Sequence, residues 1–273
     1  MLKVRKALTY LLLIAMTFVF VLPFLWMLSS SLKGNQEIFI FPPELIPKHF
    51  MWKNYPEALT YIPFLRYLVN TLIISVGSVV GTLVSCPPVA YAFSRLQWRG
   101  RNFLFGVCLS TMMLPFMVTM IPLYIMFRQM HWINTFYPLI VPAFFGTPLY
   151  IFLMRQFYMR LPKDIAEAAY IDGAGEFRVF LQIITPLTKP ALISIALFTF
   201  LANWTDFLAP LIFLNDSHMF TLSLGLQQYQ STHFTAWSYL MAACVVFTLP
   251  VVILFFALQR YFMEGISMTG SKG

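Results

Sequence analysis

The chain has 273 residues, of which 59% are hydrophobic and only 10% are charged, and its mean hydropathy is +0.75. So apolar a composition excludes a soluble domain and indicates an integral membrane protein. The formal net charge is +8, and because the basic residues lie in short segments between apolar runs, membrane orientation explains that charge better than nucleic-acid binding.

Six apolar runs are long enough to be transmembrane helices, since about 20 residues cross a bilayer. The first follows Lys3, Arg5 and Lys6; it is longer than the core of a cleaved signal peptide and lacks an A-x-A cleavage site. Several runs contain proline, which membrane helices tolerate as a kink. We predict an all-α integral membrane fold, a single polytopic domain over 1–273, with transmembrane helices at 7–28, 65–93, 103–127, 136–157, 191–214 and 239–261.

The distribution of Lys and Arg orients these helices. With the N-terminus inside, 13 of the 18 basic residues fall on the inner side, as the positive-inside rule requires. The five on the outer side are Lys33, Lys48, Lys53, Arg66 and Arg128. We therefore predict a multi-pass protein whose N- and C-termini both lie in the cytoplasm, together with the segment 159–190.

The segment 159–190 contains a short predicted helix. Asp164 is a candidate N-cap, and Glu167 three residues later completes a capping-box pattern. The helix has about two turns before Asp172 and Gly173, where a glycine permits the left-handed conformation that ends many helices.

Such a short helix is marginal in water because nucleation is costly and few hydrogen bonds follow it. Ile165, Ala168 and Ala169 share one side at helical spacing and form a narrow ridge. We expect this ridge to enter a groove on a partner protein. A connector helix at the lipid interface, with Glu167 only as a cap, is the alternative that the residues leave open.

The order Glu167-Ala168-Ala169, then Gly173, Ile183 and Pro186, resembles the signature loop of bacterial ABC importer permeases. In that family the loop is the coupling helix that docks on the ATP-hydrolysing subunit. The resemblance therefore implies the architecture of a type I importer transmembrane domain. It assigns five ATPase-coupling residues: Glu167, Ala168, Ala169, Asp172 and Gly173.

Further motifs extend the resemblance over essentially the whole chain, to the carbohydrate-uptake branch and its smaller, maltose-permease-type subunit. They are Leu22 to Trp26, Asn54-Tyr55, Asn70 to Leu72, Ala90 to Arg95, Gly100-Arg101, Ile121 to Leu123 and the ending Gly270 to Gly273. The resemblance implies a sugar importer of the bacterial cell membrane. Its partners would be a second related permease, an ATPase dimer that holds ATP and Mg, and an extracytoplasmic solute-binding protein. The chain itself would bind no cofactor and no nucleic acid.

Two departures from the family pattern bear on the substrate. Trp204-Thr205-Asp206 stands where the branch commonly has Trp-Asn followed by an acid, and Pro87-Pro88 interrupts the second helix. A carboxylate inside a membrane helix is costly, so Asp206 should face a pore or a partner and not lipid. We interpret Asn203, Thr205 and Asp206 as pore or substrate candidates.

The outer segment between the fifth and sixth helices contains Gln227, Gln228, Tyr229 and Gln230. Amide groups and an aromatic ring suit contact with sugar or with a partner protein. The family resemblance implies contact with the solute-binding protein. A merely solvated loop fits the composition equally well.

An ion-driven secondary transporter that acts without an ATPase is the alternative function. It would predict several membrane-buried ionisable groups and repeated halves, whereas only Asp206 lies well inside a predicted helix and no clear repeat occurs.

An intramembrane enzyme is disfavoured because neither H-E-x-x-H nor G-x-S-x-G occurs. No phosphate-binding G-x-x-x-x-G-K-[ST] motif is present either, so the nucleotide site must lie on another subunit. The histidines share no metal spacing, and no metal site is predicted.

Overall fold

The computed structural model describes residues 2–230 and 235–270. In this part of the chain the regular secondary structure is helical, apart from one antiparallel bridge between Gln230 and Thr235. The α-helices are α1 Leu2–Ser31, α2 Asn54–Tyr61, α3 Phe64–Ser94, α4 Arg101–Ser110, α5 Phe116–Gln129, α6 Tyr137–Ile140, α7 Pro148–Arg160, α8 Asp164–Ile171, α9 Glu176–Arg178, α10 Thr185–Leu187, α11 Lys189–Thr205, α12 Leu208–Phe213, α13 Leu222–Gly225 and α14 Trp237–Gly270. Five 3₁₀-helices, Glu37–Phe39, Thr111–Met113, Val141–Phe145, Ser217–Met219 and Leu226–Tyr229, and a π-helix, Val179–Ile184, complete the described elements. The predicted family ending at 271–273 lies outside the described residues.

Four stretches within the described residues are long and apolar enough to cross a membrane as single spans: Leu8–Ser31, Phe64–Ser94, Tyr137–Arg160 and Trp237–Gln259. Two further stretches qualify only as bent pairs. Arg101–Met113 meets Phe116–Gln129 at 98°, and Glu176–Leu187 meets Lys189–Thr205 at 78°. The described chain thus offers four to six candidate spans.

The predicted third helix, 103–127, is two helices, and the break has a local cause. Leu114 leaves the helical region, with φ −83° and ψ 110°. The ring of Pro115 disfavours helical backbone in the residue before it. By contrast, Pro87 and Pro88 lie inside α3 without ending it.

The described chain forms two compact units, one comprising the residues up to Leu65 with Gly225–Val252 and the other comprising Arg66–Leu224 with the residues from Ile253. In the first unit, α2 is fixed to the end of α1. The amide Nδ2 of Asn54 donates to the carbonyl oxygens of Ser31 and Lys33, over 2.9 and 2.8 Å. The Asn54-Tyr55 motif therefore has a structural role in this unit.

In the second unit, a close approach between α3 and the segment from Tyr137 to Phe145 depends on glycine. A Cβ at Gly81 would lie 2.6 Å from the ring of Phe144, and one at Gly77 would lie 3.0 Å from Ile140. The hydroxyl of Ser85 also donates to the carbonyl oxygen of Ala143 over 2.8 Å.

The core of the second unit lies where α3, α7, α8, the π-helix and α11 meet. Its buried residues are Cys86, Ala90, Tyr91, Tyr150, Ile151, Met154, Tyr158, Ala166, Ala169, Val179, Ile184, Ala191 and Ile195. The π-helix serves this packing, because its turn closes after five residues and so brings positions i and i+5 to one face. Val179 and Ile184 are related in this way, and both are fully buried.

Candidate functional site

The short helix α8 spans Asp164–Ile171, close to the two turns that the sequence predicts. The predicted cap at its start is wrong. Asp164 is the first helical residue, Lys163 precedes it as the N-cap, and no side chain makes a capping hydrogen bond there. Asp164 and Glu167 instead supply two negative charges in the first turn, where the helix dipole favours them.

The end of α8 forms the left-handed stop that the sequence predicts. Gly173 has φ +82°. Its N–H donates to the carbonyl oxygen of Tyr170 over 3.0 Å, and the N–H of Ala174 donates to that of Ala169 over 2.9 Å. This pair of bonds is a Schellman motif, which satisfies carbonyl groups at the helix end and requires a left-handed residue. Asp172 is exposed beside it.

The faces of α8 differ from the predicted ridge. Ala166 and Ala169 are buried in the core of the second unit, and Ile165 is half-buried against it. Glu167 and Ala168 are exposed. The prediction that Ala169 contacts a partner directly is therefore corrected: Ala169 seats α8 on its own chain and leaves Glu167 and Ala168 on the accessible face.

Two large apolar side chains at and beyond the end of α8 are also exposed, and sequence reasoning missed them. Ile171 is 86% exposed and Phe177 is 74% exposed. Exposed apolar side chains that adjoin one another can form part of a docking surface. Ile171 lies two residues before Gly173 and Phe177 four residues after it, and this closeness to the predicted helix stop is the signal that could have identified them.

Glu176 lies between two tyrosine hydroxyls just after α8. The hydroxyl of Tyr91, in α3, donates to its Oε1. The hydroxyl of Tyr170, in the last turn of α8, donates to its Oε2 over 2.7 Å. Burial, and then the hydrogen bond to the Glu176 carboxylate, raise the pKa of Tyr170 above its usual range, so its hydroxyl keeps the proton that it donates.

A cavity of about 300 Å³ lies beside two of the predicted pore residues, Asn203 and Asp206. Its other walls are apolar and aromatic, and they include Ile74 of α3 and Phe116 of α5. Oδ1 of Asp206 accepts hydrogen bonds from the N–H groups of residues 208 and 209, over 3.1 and 3.3 Å. The carboxylate is thus half-buried and held at the start of α12.

A second cavity, of about 360 Å³, also reaches Asn203 and is more polar. Ser78, Thr82, Tyr150 and Thr199 line it. Among the described residues, the hydroxyl of Thr82 is buried and has no hydrogen-bond partner. Thr205 lines neither of these cavities. Its hydroxyl donates to the carbonyl oxygen of Leu201 over 2.9 Å.

The outer-segment candidates divide into exposed and buried residues. Gln227 and Gln230 are exposed, and Gln228 is half-buried. Tyr229 is only 1% exposed. Its ring stacks on Tyr61 at a centroid distance of 5.5 Å, its hydroxyl donates to the carbonyl oxygen of residue 58 over 2.8 Å, and burial raises its pKa. Tyr229 therefore anchors the segment, and its ring is not available for stacking against a ligand, contrary to the prediction.

In the ranges 2–230 and 235–270, no group of three or more His, Cys, Asp or Glu side chains comes together that could hold a metal ion.

Comparison with known families decides which architecture these sites belong to. The family described as "Binding-protein-dependent transport system inner membrane component" matches residues 77–267. The chain belongs to this family. It is a permease subunit and not an enzyme, and the predicted resemblance is confirmed.

Curated relatives match this permease over most of their own length. It is 33% identical to the arabinooligosaccharides transport system permease protein AraQ of Halalkalibacterium halodurans, over 94% of this chain and 92% of the relative. It is 31% identical to the diacetylchitobiose uptake system permease protein NgcG of Streptomyces coelicolor, over 96% of this chain and 87% of the relative. It is 32% identical to the trehalose/maltose transport system permease protein MalG of Thermococcus litoralis, over 95% of this chain and 94% of the relative.

Solved structures match the permease in fold. A chain of a bacterial ABC transporter involved in the import of the acidic polysaccharide alginate aligns with a TM-score of 0.83 at 22% identity, covering 95% of this chain and 97% of that one. The MetNI methionine ABC transporter, in inward-facing conformations, aligns with a TM-score of 0.57 at 17% identity, covering 77% and 98%. The predicted all-α fold of an ABC importer permease is thereby confirmed.

Proposed function

We propose that this permease forms half of the translocation pore of an ATP-driven oligosaccharide importer. Its partners are a second related permease, a dimeric ATPase that holds ATP and Mg, and an extracytoplasmic solute-binding protein. The observation that carries the proposal is the match, over more than nine-tenths of the chain, to three permeases named for the transport of arabinooligosaccharides, diacetylchitobiose and trehalose/maltose.

In this proposal α8 is the coupling helix. Its accessible face combines a carboxylate, small side chains and protruding apolar groups, which suits insertion into a cleft on the ATPase. Ala169 holds the helix on its own chain, and Gly173 sets the direction in which the chain leaves it. The docking residues are Glu167, Ala168, Ile171, Asp172 and Phe177.

The substrate path in this chain follows the two cavities that meet at Asn203. Aromatic and apolar walls with a few hydrogen-bonding groups match the faces of a sugar, which present C–H groups and hydroxyls. Asn203 and Asp206 offer a donor and acceptors to such a guest. Thr205 is the weakest of the three pore candidates because it lies outside both cavities.

On the outer side, we assign contact with the solute-binding protein to Gln227, Gln228 and Gln230, with Tyr229 as the buried anchor. Replacing the three glutamines together by serine should reduce the ATP hydrolysis that the binding protein stimulates. Hydrolysis without the binding protein should stay constant, because the substituted side chains lie far along the chain from α8. Unchanged stimulation in the triple variant would reject this contact.

The proposal also includes the membrane arrangement that the sequence predicts. The chain is a single permease domain over 1–273 with six spans, at 7–28, 65–93, 103–127, 136–157, 191–214 and 239–261. The coupling loop is 159–190, and both termini are cytoplasmic in the bacterial cell membrane. The bend at Pro115 lies within the third span, and the bend near residue 188 lies at the end of the coupling loop, just before the fifth span.

Proteoliposomes test the function against its alternative. The complex of the permease with its partner permease and ATPase is reconstituted, the binding protein is added, and labelled arabino-, chito- and malto-oligosaccharides are offered. Uptake of at least one class should require ATP on the ATPase side and should persist when ionophores collapse ion gradients. Uptake by this chain without the ATPase, driven by an ion gradient, would instead establish a secondary transporter.

A further inference from the structure

Glu176 joins two helices that are distant in the sequence. It accepts hydrogen bonds from Tyr170 on α8 and from Tyr91, which precedes it by 85 residues, near the end of α3. The chain itself connects α8 only to α7 on one side and, through α9, to the π-helix on the other. The carboxylate therefore adds a connection to α3 that the covalent chain does not provide.

The chemistry of this bridge favours a rigid connection. A carboxylate has two oxygens and can accept from both hydroxyls at once. Hydrogen bonds to an ionised acceptor are roughly twice as strong as those between neutral groups. A glutamine at this position would keep the shape but would replace both charged bonds by neutral ones.

The α3 end of the bridge is held firmly by its surroundings. The ring of Tyr91 is buried and meets Tyr158 edge-on at a centroid distance of 5.8 Å and Phe180 at 5.0 Å. Directly after the end of α3, the Nη2 group of Arg95 donates to the carbonyl oxygens of residues 158 and 161, over 2.5 and 2.6 Å. A displacement of α8 thus meets a fixed group on α3.

We propose that Glu176 is a positioning residue whose two hydrogen bonds, to Tyr91 and Tyr170, form a latch that makes α8 and α3 move together. This inference rests on the proposed function of α8 as the coupling helix. The same α3 lines both cavities near Asn203, through Ile74 and Ser78. The latch would therefore pass the motion of the docked ATPase directly to the wall of the substrate path.

Distance measurements on the complete complex test the latch. Spin labels are placed on Asp164→Cys, at the start of α8, and on Gln97→Cys, just beyond α3, where both native side chains are exposed. The three native cysteines are replaced by serine. The complex with partner permease and ATPase is measured in lipid nanodiscs without nucleotide and after trapping with MgATP and vanadate. Native Glu176 should give one narrow distance that is the same in both states.

Without the latch, the two labels should move independently of each other. Glu176→Ala or Tyr91→Phe should raise the population at other distances by roughly tenfold or more, the factor that corresponds to losing one hydrogen bond to a charged group. Tyr170→Phe, which removes only an exposed hydroxyl, should act in the same direction. In combination with Glu176→Ala its effect should be smaller than in the native protein, because both changes break the same bond.

A matched control exists on another helix. The hydroxyl of Tyr239 donates to the carboxylate of Glu57 over 2.7 Å, so Tyr239→Phe removes the same kind of bond in the first unit and should leave the label distance unchanged. The latch is rejected if Glu176→Ala and Tyr91→Phe keep the native distance in both nucleotide states while the ATPase still copurifies. Failure of the native permease to retain the ATPase would reject the coupling function itself.

Discussion

Gly173 is the residue whose replacement gives the sharpest test of α8. An added Cβ would meet nothing within 4 Å, but the backbone has φ +82°. A side chain is therefore opposed by backbone strain alone, about 1–2 kcal/mol for a left-handed residue. Gly173→Val should disrupt the Schellman motif and uncouple ATP hydrolysis from uptake, measured as sugar transported per ATP hydrolysed.

Gly175 provides the matched control for that substitution. It also has open space around an added Cβ, but its backbone is extended, with φ −74° and ψ 161°, which valine adopts readily. Gly175→Val should therefore keep the native coupling ratio. If Gly173→Val assembles and transports as Gly175→Val does, the role assigned to the end of α8 is wrong.

Asp206 tests the substrate path at the residue scale. Asparagine keeps an acceptor for the N–H groups that start α12, so Asp206→Asn should preserve assembly. Loss of the charge should lower the uptake rate about tenfold or more if the carboxylate bonds the sugar, since such bonds contribute about 1.5–3 kcal/mol. Thr205→Val, outside both cavities, should leave uptake unchanged. Equal loss of uptake and of assembled complex in Asp206→Asn would show a structural role instead.

At the scale of elements, the sequence predicts what local chemistry determines. Helix α8 and its stop at Gly173 follow from nearby residues. The break before Pro115 also has a local cause, so it could have been predicted from the sequence. The π-helix and the buried face of α8 follow from packing against α3 and α7, which no local pattern reveals. The partners of Glu176 and the burial of Tyr229 were missed for the same reason, because their contacts come from distant parts of the chain.

The contact between α3 and the segment 137–145 gives the element-scale prediction. Gly81→Ala places a methyl group 2.6 Å from the ring of Phe144, and overpacking of this kind costs about 1–3 kcal/mol. It should lower the thermal unfolding midpoint of the detergent-solubilised complex. Gly106→Ala in α4, where an added Cβ meets nothing within 4 Å, should leave the midpoint unchanged or raise it. Equal midpoints for the two variants would contradict the tight packing at Gly81.

For the molecule as a whole, hydropathy predicts which helices are apolar but not what covers them. Side chains along α1 such as Leu11 and Phe20 are 67% and 71% exposed, and the same apolar chemistry serves contact with lipid and with a second permease. The cavities beside Asn203 and Asp206 are likewise open, and one chain alone does not show what faces them. In the proposed importer the pore is formed by two permeases, and this chain supplies only half of the residues that line it.

Membrane orientation is the prediction at this largest scale. The positive-inside rule places α8 in the cytoplasm and the segment containing Gln227 outside, and both Asp164 and Gln227 are exposed. In the cysteine-free background, a membrane-impermeant maleimide should label Gln227→Cys in intact spheroplasts. It should label Asp164→Cys only in inside-out vesicles, because the bilayer then no longer separates reagent and α8. Labelling in the reverse pattern would place α8 on the side without ATP and would overturn the coupling role together with the orientation.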